Sequence, residues 1–198
     1  MSADNVTLTL DRILDAAEEV VRRFGPDKAT VVDVARALGV SHAAVYRHVA
    51  SKAELRDRVV RRWVDATMAP LRAIADKSGP APKRLRQLLE TLMTTKRRRA
   101  LEDAEVFTAY RSLAADAKSV VTAHVAELVE LTSRIIRAGV EEGTFRKTDP
   151  VATARAVLMA TTRFHHPIHA DEWGDPTIDQ QFNDVWKILM DGLCVPSK

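Results

Sequence analysis

Cysteine is almost missing from this chain, Cys194 being the only one. An internal disulfide and a cysteine-based zinc site are therefore excluded, which fits a reducing compartment. Long apolar runs are missing too: no stretch of about 18 apolar residues exists to span a bilayer. The N-terminus also lacks the basic stretch and apolar segment of a secretory leader. The chain is expected in the cytoplasm, away from membranes. Catalytic signatures are equally scarce, with no GxGxxG, no GxSxG nucleophile turn, no P-loop and no cysteine–histidine arrangement. Neither an enzyme nor a cofactor is indicated. Even a charge excess is missing, because 30 Lys+Arg against 27 Asp+Glu leave only +3. Bulk charge thus gives no argument for nucleic acid, and only local clustering would. The basic run Lys96, Arg97, Arg98, Arg99 reads as a solvated helix end whose cations suit a carboxyl terminus.

What the chain does have is apolar side chains at helical spacing, and 46% apolar content over 198 residues is ample for a buried core. The segment from residue 30 to residue 55 is the most informative. Thr30 followed by Asp33 is a capping-box pattern for a helix start. Val31, Val34, Ala35 and Leu38 then fall on one face of a helix about two turns long. Gly39 can take the left-handed conformation of a tight inter-helix turn, and small Ala35 permits close packing of the next helix. Ser41 caps that helix. Its Val45 and Val49 face inward, while His42, Ala43, Tyr46, Arg47 and His48 point outward. Ser51 and Glu54 form a second capping box, so a third helix opens at once. A short helix with small, basic and aromatic side chains outward suits the major groove of DNA. Upstream, Leu10, Ile13, Leu14, Ala17, Val20, Val21 and Phe24 form the stripe of a helix over residues 9–24 that would pack on this pair.

Taken together, the Thr-initiated helix, the Val-Ala pair, Leu-Gly-Val-Ser, the Tyr-X-His tail and Ser-Lys-Ala-Glu-Leu resemble the DNA-binding domain of the tetracycline-repressor (TetR/AcrR) family of transcription regulators. The resemblance covers about a quarter of the chain. It implies a helix-turn-helix DNA-binding domain over residues 1–52 and a helical effector-binding and dimerisation domain over residues 53–198, with the fourth helix bridging the two. It also implies a ligand-responsive regulator, most simply a repressor, that binds a roughly palindromic double-stranded operator as a homodimer and is released by a small-molecule effector. Tyr46, His48 and Lys52 match the positions that grip the sugar-phosphate backbone. Base reading then falls to Ser41, His42, Ala43 and Arg47, with Thr30 completing the DNA-contacting set. Arg47 suits guanine and Ala43 a thymine methyl. The family often has glycine where Ala43 stands.

Downstream the pattern stays helical, so the expected fold is all-α with about nine helices. One helix runs from residue 51 to about 76 through Pro70, and Lys77 to Pro82 break the pattern. Others open near residues 83, 102 and 116, the last ending before Gly143. Asp149 and Pro150 mark a further start, that helix is disturbed near Pro167, and a final helix begins near residue 177. Residues 1 to 8 read as a polar arm. His124 sits on an apolar stripe, where histidine is more often core than ligand. Phe107, Tyr110, His124, Phe164 and His165 are candidate effector-pocket residues. His165, His166 and His169, followed by Asp171 and Glu172, could line a cavity, cap a helix end, or bind a transition metal with His124 as a further partner. The spacing is not HExxH, so a zinc-hydrolase arrangement is absent. By the resemblance, the last two helices pair with their symmetry mates, which assigns Val157, Ile178, Phe182, Val185, Trp186 and Leu189 to the dimer interface. Two competing functions remain open: a helical DNA-binding or partner-binding protein without an effector, and a metal-dependent enzyme using the histidine segment.

Overall fold

The computed structural model describes residues 7–28 and 30–196; residues 1–6 of the expected arm lie outside them. Among the described residues there are ten α-helices and two 3-10 helices. No strand forms there, only an isolated bridge between Phe145 and Cys194. The α-helices are α1 (Leu10–Phe24), α2 (Val31–Leu38), α3 (His42–Tyr46), α4 (Lys52–Asp76), α5 (Ala81–Glu102), α6 (Ala104–Asp116), α7 (Lys118–Glu141), α8 (Pro150–Ala160), α9 (Thr162–His165) and α10 (Ile178–Leu193). The 3-10 helices cover Pro26–Lys28 and Pro167–Glu172. The count exceeds nine because the chain around Pro167 divides into α8, α9 and a 3-10 segment. His166 precedes that proline and is extended (φ −83°, ψ 128°), as the proline ring requires of its neighbour.

The chain forms two compact units. Unit 1 holds Met1–Val64 and Asp103–Val121, and unit 2 holds Asp65–Glu102 and Thr122–Lys198. The division falls inside α4, and unit 1 recruits α6 from far along the sequence.

Unit 1 is built by local rules. Thr9 caps α1 by accepting from the Arg12 amide, and Ile13, Leu14, Ala17, Val20 and Val21 form its buried face. Phe24, placed on that stripe by spacing, is instead 63% exposed, because the helix stops at Gly25 before anything covers it. The Asp33 amide donates to the Thr30 hydroxyl oxygen at 3.1 Å, fixing the start of α2. At its end Gly39 is left-handed (φ 65°) and the Val40 amide reaches back to the Ala35 carbonyl at 3.0 Å. That is the closing bond of a Schellman turn, and it aims α3 across α2. The Ala44 amide donates to Ser41 Oγ at 3.2 Å, while Val45 and Val49 are fully buried. Helix α6 packs against α1 and the first 3-10 turn.

Unit 2 is centred on α5, whose Leu85, Leu88, Leu89 and Leu92 are inaccessible to solvent, as are Ile135 and Ile136 of α7. Asp149 caps α8 through the amides of Val151 (2.8 Å) and Ala152 (3.2 Å), with Pro150 in the first turn as the sequence implied. After α7 the chain turns back so that the Arg146 amide donates to the Leu193 carbonyl and the Val195 amide to the Thr144 carbonyl, tying down α10. Gly139 makes this turn possible: a Cβ there would lie 2.2 Å from Phe145 Cδ2 and 2.8 Å from Ala81 Cβ. The buried Phe145 ring occupies the place a side chain would take.

Candidate functional site

In unit 1, the buried Val45 and Val49 set the rotation of α3, so the opposite side chains must face out. His42, Ala43, Tyr46 and Arg47 are exposed, as is Lys52 at the first position of α4, and His48 is half-buried. Thr30 is half-buried at the start of α2, its hydroxyl engaged as the cap. From Ser41 to Lys52 there is no acidic residue. The nearest carboxylate, Glu54, accepts from the Ala50 amide and from Arg58, and these bonds hold its pKa below the usual range, the amide contributing most. The outward face is thus a small cationic and aromatic surface on a short helix held by two caps and one glycine turn. Backbone phosphates suit its Tyr46, His48 and Lys52, and base edges suit the residues at the start of α3.

The five candidate pocket residues divide between the units. Phe107 and Tyr110 belong to unit 1, where Tyr110 stacks on Trp63 (centroids 4.9 Å apart, planes 11° apart) and Phe107 tilts against Tyr110 at 6.4 Å. A shallow hollow there is lined by Val21, Val59, Trp63, Val106, Tyr110 and Leu113, together with Glu18. Helical spacing could not reveal this, because α6 returns to unit 1 over a separation of some forty residues.

His124, Phe164 and His165 belong to unit 2 and are all buried. His124 Nδ1 is buried without a hydrogen-bond partner. His165 Nε2 lies 3.3 Å from the Leu158 carbonyl and 3.4 Å from Thr161 Oγ1. Burial pushes the pKa of each imidazole down to about 3, with the Lys96 charge adding to the effect. Both are neutral at physiological pH. The Lys96 pKa is itself lowered to about 8, chiefly by loss of solvent around its ammonium and further by Arg99. This corrects the reading of Lys96–Arg99 as a solvated helix end. Lys96 is only partly exposed, Arg97 is paired to Asp179 at 2.9 Å, and Arg99 reaches Thr67 Oγ1 at 3.1 Å.

The three histidines around Pro167 do not converge. His165 is turned to α8, His166 Nδ1 accepts from the Ile168 amide at 3.2 Å, and His169 Nδ1 meets Glu172 at 2.7 Å. Among the described residues no three His, Cys, Asp or Glu side chains come together as a metal-sized cluster. Of the roles considered, capping fits His166, while His165 is buried in unit 2 against the Leu158 carbonyl.

The assigned interface residues also divide. Val157, Ile178 and Phe182 are 2%, 2% and 3% exposed within this one chain, so they serve its own core and are corrected from interface to interior. Phe182 packs edge-on to Phe164 at 5.5 Å. Val185, Trp186 and Leu189 are half-buried, and the Arg86 guanidinium lies 5.7 Å from the Trp186 ring centre. Apolar side chains that spacing missed stand fully out instead: Met159 on α8 (76% exposed) and Ile188 on α10 (72%).

Comparison with known proteins agrees with this geometry. Residues 13–59 match the model of bacterial regulatory proteins of the tetR family, and residues 81–186 match the tetracyclin repressor-like C-terminal domain. The chain is 26% identical over 193 residues to the HTH-type transcriptional repressor KstR2 of Rhodococcus jostii, covering 93% of this chain and 90% of that protein. SmeT, the repressor of the Stenotrophomonas maltophilia multidrug efflux pump SmeDEF, has the same fold (TM-score 0.72, 19% identity, 96% and 93% of the two chains), and it is also known in complex with triclosan. A TetR/AcrR-family regulator from Thermobifida fusca superposes with a TM-score of 0.65 at 22% identity, over 92% and 96% of the chains. With more than half its length inside the C-terminal domain model and its helix-turn-helix inside the N-terminal one, the chain belongs to the tetracycline-repressor family of bacterial regulatory proteins.

Proposed function

We propose that this protein is a cytoplasmic transcriptional repressor, without catalytic activity, that binds a roughly palindromic operator as a homodimer and releases it when a small molecule enters unit 2. The observation that carries the DNA half is the acid-free outward face of α3, set by the Gly39 turn. Tyr46, His48 and Lys52 hold phosphates and fix register; Ser41, His42, Ala43 and Arg47 meet base edges. Functionally, residues 1–52 act as the DNA-binding domain and residues 53–198 as the effector and dimerisation domain. The exposed Met159 and Ile188, with half-buried Val185, Trp186 and Leu189, support a twofold interface made by α8 and α10. Such a dimer presents two recognition helices about one DNA turn apart.

Release follows if the effector binds better to a state in which those helices no longer fit successive grooves. Helix α4 has residues in both units, so it offers a continuous path for the coupling. A coupling of about 3 kcal/mol lowers operator affinity roughly 100-fold.

The test is fluorescence anisotropy on the DNA upstream of the protein's own gene against a scrambled duplex across a salt series. The wild type should prefer the upstream DNA by about a thousandfold or more. Lys52→Ala should weaken binding to both duplexes alike and lower the salt slope by about one unit per bound chain. Equal affinity for the two duplexes would sink the regulator reading, and an unchanged slope would remove Lys52 from the phosphate contacts.

A further inference from the structure

We infer that the small molecule read by unit 2 is an anionic amphiphile, a carboxylate on an apolar body, and that Lys96 and His124 receive the carboxylate. The inference deepens the effector reading above and rests on it.

Three separate helices bring these groups together. Lys96 comes from α5, His124 from α7 and His165 from α9, and α5 packs directly on α9. The charged groups that act on them are all basic: Arg99 on Lys96, Lys96 and His165 on His124, Lys96 and His166 on His165. On the 3-10 segment that also packs on α5, the carboxylate of Glu172 is already taken by His169 (2.7 Å) and Arg163 (2.8 Å). A partly desolvated ammonium near two buried imidazoles is disfavoured by lost solvent and by the neighbouring cations, so packing alone gives no reason for it. An incoming negative charge adds an attraction to the Lys96 ammonium that offsets these unfavourable interactions.

A second observation points to the same place. His124 is 9% exposed, and its Nδ1 is buried with no partner. Buried polar atoms in folded proteins are nearly always paired, so an orphan nitrogen here asks for a group from outside the chain. In the tautomer with the proton on Nδ1, His124 donates one hydrogen bond to a carboxylate oxygen while Lys96 supplies the charge. His165 does not donate to the anion, because the single proton of its neutral ring is the Nε2–H directed to the Leu158 carbonyl. The apolar body follows from the neighbours along each helix: Leu92 and Met93 a turn before Lys96, Leu128 a turn after His124, and Phe164 beside His165, all buried. Apolar surroundings of this kind favour an anion carrying a hydrocarbon portion over a small hydrophilic one.

The experiment uses the full-length protein, titrated calorimetrically with straight-chain carboxylates from butanoate through dodecanoate and with the alcohols of the same lengths, followed by operator release with the best probe. At least one carboxylate should bind about tenfold or more tighter than its alcohol. Lys96→Met should remove that preference, Lys96→Arg should keep most of it, and His124→Phe should weaken it. Because the free Lys96 pKa is about 8 and a bound carboxylate raises it, binding near that pH should take up protons, and affinity should fall as the pH climbs further. Proton uptake is read from the heat in buffers of different ionisation enthalpy and needs no variant, so a misfolded Lys96→Met leaves the test intact. Equal binding of carboxylate and alcohol, no binding by any carboxylate, or full preference retained in a folded Lys96→Met would overturn the assignment. Lys96-dependent carboxylate binding that leaves operator affinity unchanged would uphold the anion site and overturn the effector reading.

Discussion

Two histidines held neutral in the interior of unit 2 make stability fall in mild acid by an amount the structure fixes. His124 and His165 are 9% and 7% exposed, and burial, then the Lys96 charge, lowers each pKa to about 3 from the usual 6.5. The folded pKa is depressed, so the effect is nearly absent above about pH 7.5, where neither state is protonated, and grows as the unfolded chain begins to bind protons that the folded chain refuses. Between about pH 7.5 and about pH 5 each histidine costs roughly 2 kcal/mol, or about 4 kcal/mol for the pair. Over this window the figure depends on the unfolded pKa alone, provided the folded values stay below about 5, so its size does not hinge on how deep the depression goes. The ordinary carboxylates titrate lower, and Lys96, with its folded pKa of about 8, takes up only about a quarter of a proton across the window, which leaves most of it to the histidines. The assay is urea unfolding at the two pH values for the wild type and for His124→Gln/His165→Gln. The wild type should lose about 4 kcal/mol more than the double variant on acidification, with an unchanged urea slope. Equal losses in the two proteins would mean that both imidazoles protonate freely in the folded state, and the buried basic cluster would have to be abandoned.

Two further outcomes concern packing and assembly. Gly139→Ala should cost about 2 kcal/mol or more in urea unfolding, because its Cβ would lie 2.2 Å from the buried Phe145 ring, and Phe145→Leu in the same chain should recover part of the loss. Ile188→Glu should leave the monomer fold intact by circular dichroism while shifting sedimentation at micromolar concentration toward the monomer, since that side chain is 72% exposed in one chain. A dimer unaffected by the glutamate would move the interface off this face of α10.

What could be read in advance was what short-range chemistry decides. The starts of α2, α3 and α8 depend on Thr30, Ser41 and Asp149 meeting amides two or three residues away, and Gly39 needs only its own φ, so a sequence suffices to place them. Burial itself was also legible: Val157, Ile178 and Phe182 were correctly seen as apolar-face residues. Their partner was not, because helical spacing shows that a stripe must be covered and is silent on whether the cover is the same chain or another. Phe182 meets Phe164 of its own unit, whereas Ile188, two positions past Trp186, projects outward on the same helix.

The same distinction explains the basic run on α5. Four consecutive cations look solvated when each is weighed as a residue type, and for exposed Arg98 that holds. Lys96 differs because it lies three and four residues past Met93 and Leu92, on the flank of the buried stripe, where its ammonium loses solvent. The groups it acts on there are His124, which its stripe already marks as core, and His165, which the sequence offers only as a pocket, capping or metal candidate. Local patterning assigns each group an acceptable place; only tertiary packing puts a partly desolvated ammonium near two buried imidazoles with no acid among the charges that act on them. That conjunction, rather than any one residue, separates a core from a binding site, and it sets a concrete requirement on the missing molecule: it must bring the negative charge that the chain leaves out.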